Sequence, residues 1–377
     1  MKNDEIFAGL MSGTSLDGVD ALLVHFADNQ QVEILERASH AFEPHLRQRL
    51  LSLAASDEVR FVDLALAEQQ LTEAYAQCSL ELQRKQPHLQ PCALGCHGQT
   101  LEHRPEQGYS LQLLNPSLLA ELSGHHVICD FRRRDLAAGG QGAPLAPAFH
   151  LSQMHSPKED RIIINLGGIA NISWLPAADK SRTLGFDTGP ANILLDAWCS
   201  RNLGHPFDHE GSWAASGRVD NPLLQALLSD SYFTQPPPKS TGRERFNSKW
   251  LDNQLDKEFK NLNPADIQAT LAELTAKSLA DAILQLDPHY RSALFVCGGG
   301  AFNRDLIERI GQHTAPRPLT TTSSLGIPPQ DVEAAAFAWL ARQHWHGQPG
   351  NLSSVTGARG LRLLGGFYPS GGRILPE

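Results

Sequence analysis

Apolar residues in the first third of the chain alternate between strand-like and helix-like spacing. The apolar runs IFAGLM and VDALLVHF adjoin the stretch Gly9–Asp20, GLMSGTSLDGVD, and residues 5–42 are predicted to form three strands in a meander. The segment from Pro44 to about Lys85 has helical spacing, and two further strands, ALGCHG and HHVICDF, bracket the helix-like PSLLAELSG. This pattern predicts a mixed α/β domain that ends near Ala138.

The remaining pattern repeats the first part. Arg161–Trp174, RIIINLGGIANISW, runs β-branched residues into a Gly-Gly turn and out again, and the strand TLGF and the helix ANILLDAWCSRNLG follow. Asn263 as N-cap and Pro264 at the first helical position predict a helix to about Leu286. Strand SALFVC, a helix from Asn303, strand RPLTTT and the helix QDVEAAAFAWLARQHW complete a second α/β domain.

Three glycine-rich turns follow apolar strands: those in Gly9–Asp20, in Arg161–Trp174 and in LFVCGGGAFN at Leu294–Asn303. Glycine has no Cβ, so a phosphate can approach its backbone N–H group closely. The first turn lacks the Gly-Lys-Ser/Thr of a Walker loop, and we interpret it as a β-hairpin. The set predicts a duplicated domain with a nucleotide in the cleft between the copies. The alternative is three unrelated turns.

Length and charge narrow the class of protein. A chain of 377 residues exceeds a typical single domain, so two domains are expected. The formal net charge is −9, and the dense basic run Arg132–Arg134 lies between two aspartates, which argues against a nucleic-acid surface. The sequence shows neither the apolar core of a signal peptide nor a run of about 18 apolar residues. We therefore expect a cytoplasmic protein that does not bind membranes.

The cysteines predict neither disulfides nor a metal centre. The six cysteines are scattered and form no CxxC pair. Cys92, Cys96 and His97 lie near one another in the sequence, but adjacent strand residues face opposite ways and no fourth ligand is near. We do not expect zinc there.

The domain boundaries follow from glycine content. The segment Ala138–Ala143 is predicted to be a crossover or hinge, because it allows backbone rotation and carries no core side chains. The predicted domains are an N-terminal lobe at 1–138, a C-terminal lobe at 139–346 with helical insertions, and a tail at 347–377. The last helix and the tail are candidates to pack back on the first lobe.

Asp187, in GFDTGP, is the main catalytic candidate. It is predicted at the end of a strand and just before a helix, where open α/β sheets bind their ligands. An N-cap is an equally good interpretation, because Asp187 and Thr188 both suit that position ahead of Pro190. The residues alone leave both interpretations open.

Eight motifs together resemble one family. They are MSGTSLDGVD, CHGQT (Cys96–Thr100), DFRRRD (Asp130–Asp135), GQGAPL (Gly140–Leu145), INLGGIANIS, GFDTGP (Gly185–Pro190), PPPKSTGRERFN (Pro236–Asn247) and VCGGGAFN. The ordered set resembles the anhydro-N-acetylmuramic acid kinases, bacterial enzymes of the actin-like ATPase superfamily. The resemblance extends from Gly9 to about Gly357.

The resemblance implies a fold and an activity. The fold would be α/β, a two-lobed actin-like ATPase (ribonuclease H-like) fold with a duplicated mixed-sheet domain and an interlobe cleft. The enzyme would use ATP and Mg²⁺ to open 1,6-anhydro-N-acetylmuramic acid hydrolytically and to phosphorylate its 6-oxygen. The products would be N-acetylmuramic acid 6-phosphate and ADP, in peptidoglycan recycling, and a homodimer is implied.

The resemblance also implies roles for single residues. Asp187 would be the catalytic base and Glu333 a second catalytic carboxylate, although Glu333 in a first helical turn also interacts favourably with the helix N-terminus. The superfamily commonly begins each phosphate turn with Asp, whereas this chain has Met11 and Asn165 there. The residues expected to bind ATP are Gly13, Thr14, Ser15, Leu16, Asp17, Gly18, Val19, Asp20, Asn165, Gly167, Gly168, Gly298, Gly299 and Gly300. Asp17 and Asp20 are the substitutes for ordering Mg²⁺, with Asp17 acting through water.

The sugar is expected to contact the CHGQT and DFRRRD motifs. Arg132 and Arg134 are predicted to share one face of an extended segment and to bind the lactyl carboxylate of a muramic acid bidentately. The alternative is ion pairing with neighbouring aspartates. His97 is as well explained by a buried, satisfied histidine as by sugar contact. The residues expected to bind the substrate are His97, Gln99, Thr100, Asp130, Arg132 and Arg134.

Two other functions compete with this interpretation. One is an ordinary sugar kinase that acts on a free hydroxyl group, and the other is an actin-like ATPase that works as a conformational switch or filament. The polar groups of CHGQT and DFRRRD favour a sugar substrate over a switch. Fold similarity alone does not separate these functions.

Overall fold

The strands were located in a computed structural model, which describes residues 5–13, 16–27, 31–56 and 58–371, with the backbone alone at residue 257. In chain order they are β1 (Glu5–Met11), β2 (Gly18–Phe26), β3 (Val32–Ala41), β4 (Leu94–Cys96), β5 (Gln99–Arg104), β6 (Tyr109–Leu113), β7 (Val127–Cys129), β8 (Arg161–Leu166), β9 (Ile169–Leu175), β10 (Leu184–Pro190), β11 (Ala293–Cys297), β12 (Leu319–Thr321) and β13 (Gly366–Tyr368).

The α-helices occupy the predicted helical segments and several connections. In chain order they are α1 (Pro44–Ala54), α2 (Phe61–Lys85), α3 (Pro116–Ser123), α4 (Arg133–Ala137), α5 (Ala146–Met154), α6 (Asn192–Leu203), α7 (Ser212–Ser216), α8 (Asn221–Leu228), α9 (Ser248–Glu258), α10 (Pro264–Leu286), α11 (Arg304–Thr314), α12 (Val332–Trp345) and α13 (Ser353–Thr356).

The described residues divide into two compact units. The first comprises those within Met1–Phe149 and Asp331–Glu377, and the second is His150–Gln330. Residues 331–346, which the predicted boundary assigns to the second lobe, belong to the first unit because α12 packs on β1 and β4. The tail from residue 347 also belongs to the first unit, where β13 pairs with β7.

The first unit is built on a mixed sheet with the order β13-β7-β4-β1-β2-β3. Strand β2 is antiparallel to β1 and β3, whereas β4 is parallel to β1 and to β7. Helix α2 covers one face, and its Leu71 and Tyr75 are fully buried against Leu10 and Val19 of the sheet. This core confirms the predicted meander and the helix that follows it.

The second unit repeats that topology. Its sheet has the order β10-β9-β8-β11-β12, with β9 antiparallel to β8 and β10, and β11 parallel to β8 and β12. Both units therefore contain a three-strand meander followed by two parallel strands. This repetition confirms the predicted α/β fold with a duplicated mixed-sheet domain.

Helix α10 shows how local sequence determines an element. Asn263 caps it through a hydrogen bond from the Ala265 N–H group to its side chain (3.0 Å), and Pro264 is the first helical residue. The helix ends at Leu286, as the spacing predicts. Its Leu271 and Leu274 are buried in the second unit.

The segment Ala138–Ala143 is not at the boundary between the units. It lies within the first unit, where the Gln141 N–H group donates to the Thr356 C=O group (2.8 Å) and the Gly142 N–H group to Asp135 Oδ2 (2.8 Å). The interpretation of this segment as a hinge is therefore wrong, because these hydrogen bonds tie it to both α4 and the tail. The chain passes from the first unit to the second at 149/150 and returns to the first at 330/331.

Candidate functional site

Asp187 lies in an edge strand of the second unit. It is in β10, the outermost strand, beside an irregularity in the pairing with β9 between Asp187 and Gly189. Its side chain is 7% exposed, so the carboxylate is largely removed from water. A buried carboxylate is costly unless hydrogen bonds stabilise it.

One hydrogen bond to this carboxylate comes from the motif PPPKSTGRERFN. The Thr241 N–H group donates to Asp187 Oδ2 (2.9 Å), and the Asp187 N–H group donates to the Lys239 C=O group (3.2 Å). The Tyr232 hydroxyl group donates to the Asp187 C=O group (2.7 Å). Sequence patterns assign this motif no role, since its contact with β10 is a tertiary one.

The N-cap interpretation of Asp187 and Thr188 is wrong. Helix α6 begins at Asn192, after Ala191, and no side chain caps it. The Thr188 hydroxyl group instead donates to the Ala170 C=O group on β9 (3.3 Å). The Asp187 carboxylate is thus held by the loop at Thr241 rather than by a helix end.

The two glycine turns of the second unit lie side by side. An ideal Cβ on Gly298 would be 2.5 Å from Asn165 Oδ1, and one on Gly300 would be 2.6 Å from Leu166 Cβ. Cβ atoms at Gly167 and Gly299 would meet nothing closer than 3.6 Å. Glycine is therefore required where the turns touch, whereas a Cβ would be in ordinary contact at Gly167 and in open space at Gly299.

The turn between β8 and β9 also forms hydrogen bonds with the first residues of α6. The Gly167 C=O group accepts from the Asn192 N–H group (3.1 Å), and the Gly168 C=O group accepts from Ala191 and Ile193 (both 3.0 Å). These N–H groups are used within the protein. Helix α6 therefore does not offer its first N–H groups to a phosphate.

The glycine hairpin of the first unit joins β1 to β2. Thr14 and Ser15, two of the predicted nucleotide contacts, lie outside the described residues. Leu16 and Val19 are core residues, each at most 1% exposed, so their side chains belong to the fold. Asp17 and Asp20 are exposed.

Three aspartates, Asp17, Asp20 and Asp331, influence one another near this hairpin. Asp20 Oδ1 accepts from the Ser39 hydroxyl group (2.8 Å), and lost hydration together with the charges of Asp17 and Asp331 raises the pKa of Asp20. Arg37 binds the buried Asp331 through two nitrogens, at 2.8 and 2.6 Å from Oδ2. Asp331 immediately precedes α12, whose first turn contains Glu333 as predicted. The Arg37–Asp331 pair thus anchors the start of the helix that carries Glu333.

His97 is buried and bonded at both ring nitrogens. Its Nδ1 lies 3.1 Å from the Ser12 C=O oxygen, and its Nε2 lies 2.9 Å from Arg132 Nη2. Arginine only donates, so Nε2 accepts and Nδ1 carries the proton. Burial, with the Arg132 charge, lowers the pKa of His97 to about 3. These contacts agree with the alternative that His97 is a buried, neutral histidine whose hydrogen bonds are satisfied within the protein.

Gln99 and Thr100 begin the hairpin β5–β6, which sequence reasoning missed. The Gln99 side chain is 1% exposed and donates to the Gly13 C=O group (3.2 Å), while its Oε1 atom makes no hydrogen bond within the described part of the chain. Thr100 accepts from Gln112 on β6 (3.1 Å). The hairpin thus places a buried acceptor next to the glycine turn of the first unit.

The predicted extended segment around Arg132 and Arg134 is wrong. Arg132 has helical dihedrals and α4 starts at Arg133, so Arg132 and Arg134 are two positions apart on a helix and do not face the same way. Arg132 donates to the Gly142 C=O group (2.9 Å) as well as to His97, whereas Arg134 is exposed. Asp130 pairs with Arg133, at 3.6 Å.

Asp135 is a structural residue. It is fully buried, and its carboxylate accepts from Gly142, from Asn351 (2.7 Å) and from Thr356 (2.8 Å). The alternative of ion pairing between Asp135 and the neighbouring arginines is therefore wrong. The hydrogen bonds of this carboxylate connect the tail to the GQGAPL motif.

These features define a class of protein. One unit carries a glycine hairpin with buried polar side chains, and the other carries a buried carboxylate and two adjacent glycine turns. Both sheets contain a three-strand meander followed by two parallel strands, to which the first sheet adds β13. The class is that of proteins built on a duplicated mixed α/β domain.

The chain belongs to the anhydro-N-acetylmuramic acid kinase family, whose model matches residues 5–370. An anhydro-N-acetylmuramic acid kinase from Burkholderia orbicola is 50% identical over 373 residues and covers 97% of both chains. One from Chromohalobacter salexigens is 50% identical over 371 residues, covering 96% of this chain and 99% of its own. One from Thiobacillus denitrificans is 50% identical over 368 residues, covering 97% and 98%. The resemblance found in the motifs is confirmed.

Helices in the described parts of the chain are either too short or too polar to span a membrane.

Proposed function

We propose that the protein is an ATP-dependent kinase that opens 1,6-anhydro-N-acetylmuramic acid and phosphorylates its 6-oxygen. The family membership supports the substrate and the phosphoryl donor. The observation that carries the reaction is the buried Asp187 carboxylate, held at Oδ2 by the Thr241 N–H group. The products are N-acetylmuramic acid 6-phosphate and ADP, in peptidoglycan recycling.

The chemistry of the substrate determines what Asp187 does. The 6-oxygen of an anhydro sugar is part of an internal acetal and carries no proton, so a base has nothing to remove there. Asp187 instead takes a proton from water as the water oxygen bonds to the anomeric carbon, opposite the bridging oxygen. The bond between the anomeric carbon and the 6-oxygen breaks. The 6-oxygen bonds to the γ-phosphorus, and the bond to the ADP oxygen breaks.

The glycine turns are proposed to receive the nucleotide. Open space at Gly299 supports a close approach of phosphate to the backbone in the second unit. In the first unit Asp17 and Asp20 supply exposed carboxylates next to the hairpin, a donor type that suits Mg²⁺ bound through water. Mg²⁺, when bound with ATP, would neutralise charge on the phosphates.

Arg132, His97 and Gln99 are proposed to shape the sugar site. The structure supports an indirect role for His97, because both its nitrogens are used within the first unit. The buried acceptor Gln99 Oε1 suits a hydroxyl or amide donor of the sugar. Thr100, Asp130 and Arg134 remain proposed substrate contacts, on the resemblance alone. The resemblance likewise supports a catalytic role for Glu333 and assembly into a homodimer.

Labelled water tests the coupled reaction. With ATP and the anhydro sugar in ¹⁸O-water, we expect one label at the anomeric oxygen of the product and none in its phosphate, since water attacks carbon. Mass spectrometry of the product after rapid quenching locates the label, before the free anomeric hydroxyl group exchanges. Label-free product, or equal turnover of reducing N-acetylmuramic acid, would favour an ordinary sugar kinase.

The arginines give a second test. Arg132→Lys keeps the charge but loses the donors to His97 and Gly142, so it should weaken binding of the muramic substrate by about 1 to 3 kcal/mol. The matched control Arg84→Lys, at an exposed position of α2, should leave binding unchanged. Calorimetric titration of both variants with the substrate measures the difference. Equal losses in both variants would mean that the effect of Arg132→Lys does not come from its contacts with His97 and Gly142.

A further inference from the structure

Strand β10 contains a bulge directly after Asp187. Asp187 lies opposite Asn171 on β9 and Gly189 lies opposite Ala170, so Thr188 is an extra residue between the two pairs. A bulge bends its strand and changes the direction of the side chains beside it. The regular pairing with β9 therefore does not by itself determine where the Asp187 carboxylate points.

The segment Tyr232–Thr241 contacts Asp187 at the open edge of β10. The Lys239 C=O group accepts from the Asp187 N–H group, and the Tyr232 hydroxyl group donates to the Asp187 C=O group (2.7 Å). The Thr241 N–H group donates to the carboxylate. The segment thus holds the backbone of Asp187 on both sides of its Cα atom, and also its side chain.

Phe233, the neighbour of Tyr232, packs against the bulge itself. Gly189 has a φ of +151°, and an ideal Cβ there would be 2.7 Å from Phe233 Cε1. Glycine at this position therefore permits both the conformation of the bulge and the close approach of the segment.

The Tyr232 side chain is closely surrounded. It is 2% exposed, and the Phe246 ring packs edge-on against its ring with the centroids 5.5 Å apart. Lys239 Nζ lies 4.6 Å from the centre of the Tyr232 ring and donates to the Tyr232 C=O group (3.1 Å). Close packing of this kind restricts an aromatic side chain to one rotamer. The Tyr232 hydroxyl group is therefore a donor in a fixed position.

Asp230 anchors the start of this segment independently of the hydroxyl group. Its carboxylate accepts from the Tyr232 N–H group (2.9 Å), from Trp250 Nε1 of α9 (2.9 Å) and from Arg245. These contacts involve the backbone of Tyr232 and not its side-chain oxygen. We therefore expect the segment to fold when the Tyr232 hydroxyl group is removed.

We propose that Tyr232 is a positioning residue for Asp187: its hydroxyl group fixes the backbone of Asp187 at the bulge and thereby the direction of the carboxylate. This inference rests on the proposed function of Asp187 as the base. The water that attacks the anomeric carbon must lie opposite the bridging oxygen, so the base has to face one side of the sugar. A misplacement of about 1 Å can slow such a step by about a hundredfold.

The first test is Tyr232→Phe, which removes only the hydroxyl group. We expect kcat for ATP-dependent turnover of the anhydro sugar to fall about tenfold, because the carboxylate loses part of its orientation. KM for ATP should not change, since the lost contact acts on the base and not on nucleotide binding. Steady-state ADP release at varied ATP measures both constants.

A double-mutant cycle with Asp187→Asn separates positioning from a general structural role. If Tyr232 acts through the Asp187 carboxylate, Tyr232→Phe should cost no further turnover once that carboxylate is absent. The matched control is Tyr290→Phe. Tyr290 is 43% exposed in the same unit, with Arg317 packed on its ring, and loss of its hydroxyl group should leave kcat unchanged.

The outcomes separate this inference from the proposed function. Wild-type kcat in folded Tyr232→Phe would overturn the role of Tyr232 while leaving Asp187 as the base. An equal fold-loss with and without the Asp187 carboxylate would overturn it too, because Tyr232 would then support the fold as a whole. Failure of Tyr232→Phe to fold, judged by circular dichroism, would lead to the same conclusion. Full activity of Asp187→Asn alone would instead remove the proposed function itself.

Discussion

Asp187→Asn is expected to lose turnover by about a hundredfold or more while still binding ATP, because the amide cannot take the proton from water. The substitution is nearly isosteric, and its side-chain oxygen can still accept from the Thr241 N–H group. Steady-state ADP release with the anhydro sugar measures turnover, and calorimetry measures nucleotide binding.

The matched control is Asp281→Asn. Asp281 is an exposed aspartate of the same unit, paired with Lys277 on α10, and its loss should cost little in turnover or stability. Thermal melting of both variants checks that the fold is intact. Near-native turnover by folded Asp187→Asn would place the base elsewhere in the protein.

Gly9→Ala and Gly95→Ala are each expected to lower the free energy of unfolding by about 3 kcal/mol, the upper part of the usual range for overpacking. An ideal Cβ on Gly9 would be 1.9 Å from the Ala334 C=O oxygen, and one on Gly95 would be 2.1 Å from that of Phe337. Both contacts are with the backbone of α12, which cannot move aside as a flexible side chain can. Urea unfolding followed by circular dichroism measures the loss.

Gly311→Ala is a control in which the same type of substitution should raise the free energy of unfolding instead of lowering it. Gly311 lies inside α11, and a Cβ there would meet no atom within 4 Å. Alanine should therefore raise the stability by about 0.5 to 1 kcal/mol, because it restricts the unfolded chain more and favours helix. Wild-type stability of Gly9→Ala would show that α12 does not pack directly on β1.

Part of the candidate site follows from sequence patterns because short-range rules govern it. Apolar strands that end in glycine predict the three turns, and the repeated order of strands predicts the duplicated domain. Asn263 and Pro264 predict the start of α10 to the residue, since capping involves only neighbours in the chain. The eight ordered motifs are sufficient to recognise the family.

Other parts depend on residues far apart in the chain. DFRRRD has no local signal for α4, and its arginines diverge because α4 starts at Arg133. The segment Ala138–Ala143 looks flexible in composition but is tied down by Asp135 and by Thr356, more than 200 positions later. The hairpin β5–β6 lacks a strong turn signal, since Pro105 and Gly108 are spaced as in an ordinary loop.

The sequence by itself determined the order of strands β1–β4 and β7–β12, the glycine turns, the family and the identity of Asp187 as the candidate base. These depend on local spacing and residue type. Only the tertiary structure decided that Thr241 and Lys239 enclose Asp187, that Arg132 holds His97, and that α12 belongs with the first unit. Those contacts join distant segments, and their geometry depends on how sheets and helices pack, which no short window of residues contains.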